Sequence, residues 1–132
     1  MNLLLFAALL FWPQEDLKQL QAVFETSAGS FIMEFYPDQA PNHVRQFIQL
    51  AREGFYNGTI FHSMVPHGIL QGGDPETKNP QARAKYGTGG FNRGMKPENS
   101  NLPFTQGTVA ATLLPGEPNS AGSEFLIIEC IG

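Results

Sequence analysis

The sequence predicts one mostly-β domain, antiparallel α+β or barrel-like, with a single helix laid against its strands. Three observations carry that expectation. Short apolar runs are punctuated by 14 Gly and 10 Pro, which suits tight loops between strands. One segment alone has a clear helical period. The order of elements is strand, strand, helix, then mostly strands, without an internal repeat or an interdomain linker. With 132 residues the chain is close to the usual domain size of about 150, large enough for a core without disulfides or metals.

The chain opens on an apolar run, Leu3 to Trp12, closed by Pro13 and the polar Gln14-Glu15-Asp16. This run is too short to span a bilayer but matches the apolar region of an export signal. Residues 1–14 are therefore expected to be a leader, directing the domain to the periplasm or the exterior. The run lacks a basic start and an A-x-A cleavage site, so the cytoplasm is the alternative. The folded domain is expected over residues 22–132.

Ala22 to Thr26 and Phe31 to Tyr36 flank Ser27-Ala28-Gly29-Ser30 and predict a β-hairpin. Pro37 to Pro41 breaks the second strand. Val44, Phe47, Ile48 and Ala51 then sit at i, i+3, i+4 and i+7, the stripe of an amphipathic helix widened by Leu50. Arg45, Gln49 and Arg52 fall on its wet face. Pro41 suits the first turn, and Gly54 can end the helix in the left-handed conformation. An Asn57-Gly58 turn leads into a strand from Thr59 to Val65. A further strand enters the glycine turn Gly72-Gly73-Asp74-Pro75. Glu76 to Phe104 is polar and aperiodic, a folded surface loop. Gly107 to Leu114 and Ser123 to Ile131 are the last two strands, joined by a turn over Pro115 to Gly122.

Charge excludes several function classes. Apolar residues make up 42% and charged ones 15%, too apolar for a disordered chain. Eight basic against twelve acidic residues give a net charge of −4, and the bases are scattered. No run of them would release phosphate counterions, so nucleic acid is not an expected partner. The single Cys130 has no disulfide partner and reads as an inert thiol in an apolar strand. His43, His62 and His67 lack metal-ligand spacing, so no metal site is assigned. Gly87-Thr88-Gly89-Gly90 lacks the Gly-Lys-Ser/Thr of a phosphate loop and reads as a structural turn. Ser120 and Ser123 lack the surroundings of a hydrolase nucleophile.

Two segments stand out together. Phe61-His62-Ser63-Met64-Val65-Pro66 with Gln71-Gly72-Gly73-Asp74-Pro75 resembles the first signature of the cyclophilin family. Pro118-Asn119-Ser120-Ala121-Gly122-Ser123-Glu124-Phe125 resembles the second. Ala40-Pro41, Gly54-Phe55-Tyr56-Asn57-Gly58 and Gly87-Thr88-Gly89-Gly90 match in the correct order, and the likeness runs from Val23 to Ile128. It implies an eight-stranded antiparallel barrel capped by two helices. It also implies peptidyl-prolyl cis-trans isomerase activity on proline-containing polypeptides in the service of protein folding, with no cofactor.

The resemblance also implies positions for the groove. Gln71 stands where the family's groove glutamine stands. Ser63 occupies the position of an arginine that donates to the twisted amide. Gly68 and Ile69 replace a pocket phenylalanine and methionine, Leu113 an asparagine, Glu124 a second glutamine and Leu126 a pocket phenylalanine. By analogy with deleting one oxyanion-hole donor, the missing arginine is worth about 3–4 kcal/mol, a factor of roughly 10²–10³, so activity is expected to be weak. Family members continue some tens of residues beyond the Phe125 strand, supplying a second helix and a barrel-closing strand. The expected barrel is therefore incomplete, and an open apolar edge is an aggregation hazard. A non-catalytic proline-peptide-binding module, a non-functional truncated remnant, and a domain whose edge a second chain completes stay open beside the enzyme.

Overall fold

The computed structural model describes residues 15–129. The leader assigned to residues 1–14 and the thiol of Cys130 lie outside the described residues. Six strands form two antiparallel sheets. β1 (Gln21–Thr26) and β2 (Gly29–Glu34) make a hairpin, and β3 (Ser63–Met64), β4 (Ile69–Gly72), β5 (Val109–Ala111) and β6 (Phe125–Ile128) make a sheet of order β3-β4-β6-β5. One α-helix, α1 (Pro41–Arg52), packs with them. The antiparallel, mostly-β expectation with one main helix holds.

In the hairpin, alternation places Phe24 and Phe31 opposite each other, their rings stacked at 4.5 Å. The turn is tighter than its sequence predicts. Thr26 pairs with Gly29, leaving Ser27 and Ala28 as the two linking residues, and Ser30 belongs to the strand. Gly29 makes this possible: its φ of +125° lies in the region that β-carbons disfavour. The outer face of the hairpin leaves Val23 and Ile32, a cross-strand pair, exposed.

α1 begins at Pro41, whose missing N–H costs nothing in a first turn, and Gly54 follows its end at φ +74°. Val44, Ile48 and Leu50 are buried, while Ala51, expected on the apolar stripe, is exposed. The buried arc extends to Leu50 instead. Ala40, at the helix start, supplies no side-chain cap. Glu98 does so from 55 and 56 residues away: it accepts from the Asn42 N–H at 3.1 Å and the His43 N–H at 2.8 Å, and its Oε1 lies 2.6 Å from His43 Nδ1. Burial alone would push the Glu98 carboxyl up; the His43 ring and the two backbone N–H groups outweigh it and hold it below the ordinary carboxylate range. This stabilisation is present above that range and lost as pH falls through it. Glu98→Ala is expected to lower stability by about 1–2 kcal/mol in urea denaturation, the usual worth of a helix cap. An unchanged midpoint would show that Glu98 does not cap the helix.

The core is aromatic. Phe125 of β6 lies edge-on to Phe24, Phe47, Tyr56 and Phe61, with centroids 5.8 to 6.2 Å away. Two departures from the sequence reading concern extent. Pairing before β3 starts only at His62, whose N–H donates to the Gln71 carbonyl, so Thr59 to Phe61 are not in the strand. The stretch after β4 is not featureless: Pro75–Lys78 and Pro80–Lys85 are 3-10 turns, capped by the side chains of Asp74 and Asn79. Among the described residues no helix is long and apolar enough to cross a membrane.

Candidate functional site

Antiparallel register decides which residues share a face. Ser63 pairs with Gln71, Gln71 with Leu126, and Leu126 with Ala110, giving a row across β3, β4, β6 and β5. Ile69 pairs with Ile128 one step along the same face. The opposite face carries Phe125 and Gly72 into the aromatic core. The sheet therefore gathers Ser63, Ile69, Gln71 and Leu126 on its outer side. Ser63 is exposed; the other three are half-buried.

Two predicted positions stand elsewhere. Leu113 is exposed and lies outside the strands, one residue past Thr112, whose N–H donates to the Glu124 carbonyl. Glu124 is not at the groove surface: it is only 1% exposed. Its Oε2 accepts from Gln71 Nε2 at 3.0 Å, and its Oε1 is buried without a hydrogen-bond partner. Gly68 closes the turn after Val65, whose carbonyl accepts its N–H.

Asp74 is the residue that sequence reasoning passed over. It is fully buried, and its two oxygens accept the N–H groups of Glu76 at 2.8 Å and Gly87 at 2.5 Å. It thereby pins the Gly87-Thr88-Gly89-Gly90 turn to the end of β4. The Asp-Pro pair after Gly72-Gly73, a strong start for a helical turn, was the available signal. Ser123 completes the junction, donating its hydroxyl to the Gly73 carbonyl at 2.7 Å and its N–H to Gly90 at 2.6 Å. Gly73, at φ +87°, has no room for a β-carbon because the Ser123 carbonyl occupies that space.

Burial pushes the Glu124 carboxyl up to about 7, with facing Asp74 adding to the rise and the Gln71 hydrogen bond opposing it. The fold thus favours neutral Glu124. That preference is fully present below the ordinary carboxylate range and is lost as pH rises through about 7. Stability is expected to fall by on the order of 3 kcal/mol from this group across that window. Thermal unfolding at pH 5 and pH 8 measures it, and Glu124→Gln should flatten the difference. The His62 imidazole is pushed down by burial, against the pull of Asp74, and neither of its ring nitrogens has a partner.

Neither Arg45 nor Arg93 belongs to this row. Arg93 lies over the Phe55 ring at 4.7 Å, and with Arg45 it lines a cleft of about 550 Å³ beside α1. A second cavity of about 320 Å³ opens toward Phe24, Tyr56 and Phe125 on the core side. The outer face holds neutral hydrogen-bonding groups and aliphatic surface, and neither a nucleophile nor a base. Such a face can seat a peptide but offers Ser63 only as a neutral donor.

Comparison with known proteins agrees in extent and kind. The family described as cyclophilin type peptidyl-prolyl cis-trans isomerase/CLD matches residues 21–130. A probable peptidyl-prolyl cis-trans isomerase of Brucella abortus (strain 2308) is 40% identical over 110 residues, covering 80% of this chain and 56% of its own length. Peptidyl-prolyl cis-trans isomerase-like 1 of Aspergillus fumigatus is 37% identical over 107 residues, covering 80% of this chain and 62% of its own. The chain therefore spans little more than half the length of these relatives. A Cryptosporidium parvum cyclophilin type isomerase, solved in the presence of the dipeptide Ala-Pro, superimposes with a TM-score of 0.72 at 28% identity, covering 84% of this chain and 68% of that one.

Proposed function

The chain belongs to the cyclophilin-type peptidyl-prolyl cis-trans isomerase family, and from that premise we propose that it binds proline-containing polypeptides on the outer face of β3, β4 and β6 and weakly accelerates their isomerisation. The observation that carries this reading is the cross-strand row of Ser63, Gln71 and Leu126. The Ala-Pro dipeptide present with the Cryptosporidium relative supports the ligand class.

Rotation about an X-Pro bond is opposed by amide resonance, with a barrier of about 18–20 kcal/mol for peptide bonds. No bond is made or broken, so the protein's task is to bind the twisted amide better than either planar form. Ile69 and Leu126 offer aliphatic surface for the proline ring, and Gln71 offers a side-chain amide to the flanking backbone. The Ser63 hydroxyl is the one polar group at the arginine position, and a neutral donor stabilises the twisted amide less than a charged one. Ser63 also favours a second reading, a module that binds proline segments without accelerating them.

Titrating the full labelled chain with an Ala-Pro peptide tests the placement. Resonances of Gln71, Ile69 and Leu126 should move together, and the peptide's cis-trans exchange should quicken. Movement without quickening selects the binding module. Movement confined to the cleft beside α1 would refute the placement. Two further readings belong to the same proposal. The run from Leu3 to Trp12 supports export of the domain. β1, whose one strand neighbour among the described residues is β2, supports an edge completed by a strand from a second chain.

A further inference from the structure

Glu124 and Asp74 are buried, at 1% and 0% exposure, and they flank the junction where the Ser123 hydroxyl bonds the Gly73 carbonyl. Among the described ion pairs none reaches either residue. Asp74 accepts backbone N–H groups on both oxygens, so it is already set as an acceptor. Glu124 accepts from Gln71 Nε2 on Oε2, while Oε1 faces away from water with nothing to bond. An ionised carboxylate is acceptor-only, and a second one facing Asp74 would leave a buried charge beside a like charge. A neutral carboxyl removes both costs: its hydroxyl donates and its carbonyl accepts.

We propose that Glu124 is a positioning residue acting as a neutral acid: its Oε1–H donates to the Asp74 carboxylate, its Oε2 accepts from Gln71 Nε2, and Gln71 is thereby held with its amide oxygen turned to the peptide groove. The direction of the Gln71 amide follows from the partner. With an accepting oxygen on one side, the NH₂ group must point to Glu124, and the carbonyl is left for a peptide N–H. The groove thus selects a backbone donor beside the proline. This role rests on the groove reading of the preceding subsection.

Burial and the facing Asp74 raise Glu124 to about 7, which keeps the neutral form well populated up to neutral pH. The other titratable groups around the pair do not supply a countercharge. His62, which senses Asp74, is pushed down by burial, toward its neutral form. Tyr56, whose hydroxyl donates to the Ser123 carbonyl next to Glu124, is pushed up by burial and stays protonated. Loss of the Glu124 proton leaves Oε2 an acceptor for Gln71 but sets two carboxylates together, and their repulsion pushes Glu124 out of its place between Asp74 and Gln71.

The test is a pH titration of the full chain from 5 to 9, following the Glu124 carboxyl carbon and the Gln71 side-chain amide by NMR. Expected are a Glu124 midpoint near 7 and a Gln71 amide signal that moves with the same midpoint. In Glu124→Gln the Gln71 signal should stay at its low-pH position throughout. An Ala-Pro peptide should bind roughly five- to tenfold more weakly at pH 8.5 than at pH 6, the worth of about one hydrogen bond, and Glu124→Gln should abolish that difference. A peptide with an ester in place of the N–H beside the proline should lose affinity at pH 6. A Glu124 midpoint in the ordinary carboxylate range, or a Gln71 signal indifferent to it, overturns the proposal. The wild-type titration stands even where the variant fails to fold. Coupled titration of the two side chains with no peptide binding at any pH would support the relay and refute the groove reading.

Discussion

Phe125→Ala is expected to cost about 3–5 kcal/mol, a large fraction of the roughly 5–15 kcal/mol that holds an ordinary domain folded. The side chain is 6% exposed and sits at the meeting point of four rings, contributed by β1, α1, the turn after α1 and the segment before β3. Removing it takes away its own burial and leaves four aromatic faces around a void. The loss should be large because these neighbours come from four different parts of the chain and cannot all move inward together. Urea denaturation, or thermal unfolding where the variant still folds, gives the number. A cost below about 1 kcal/mol would mean that the core can collapse around the hole and that Phe125 is not its centre.

The second large effect concerns rate rather than stability. Ser63→Arg should raise the isomerisation rate by roughly 10²–10³, the value of one well-aimed donor to a developing charge. Ser63 is exposed on β3 directly across from Gln71, so a longer side chain can extend over the groove without disturbing the core. The guanidinium would then approach the amide nitrogen of a proline seated between Ile69 and Leu126. Peptide affinity should change little, because the donor acts on the twisted amide more than on the planar ones. An unchanged rate with peptide still bound would show that the groove fails for a reason other than its missing cation.

Much of the architecture was legible because it rests on periodicity. The stripe of Val44, Phe47 and Ile48 marks α1, and the alternation around Phe24 and Phe31 marks the hairpin. Strand extent was less legible. Thr59 and Ile60 look like the start of a strand, yet Thr59 turns its hydroxyl back to the Tyr56 carbonyl and the Ile60 N–H bonds Thr77. Those local partners compete with a ladder, and no composition rule weighs them. The two 3-10 turns carried their own signals in Asp74-Pro75 and Asn79-Pro80, where a capping side chain precedes a proline.

The site divides in the same way. Gln71, Ile69 and Leu126 could be named from the family resemblance, but that Ser63, Gln71 and Leu126 form one row depends on register between strands far apart in sequence. Glu124 shows the limit most clearly. As a letter it reads as a surface charge beside the groove; in the fold it is buried and bonded to Gln71, next to the junction that Ser123 and Gly73 draw together. Only the tertiary contact distinguishes those cases.

The central claim is that the outer face of β3, β4 and β6 acts on X-Pro bonds. Exchange NMR of an Ala-Pro peptide with the full chain and with Gln71→Ala measures it directly. Catalysis on this face requires exchange above the buffer rate with the wild-type chain and a loss of that excess in Gln71→Ala. Exchange at the buffer rate with wild type at high protein concentration, or an excess that survives Gln71→Ala undiminished, would contradict it.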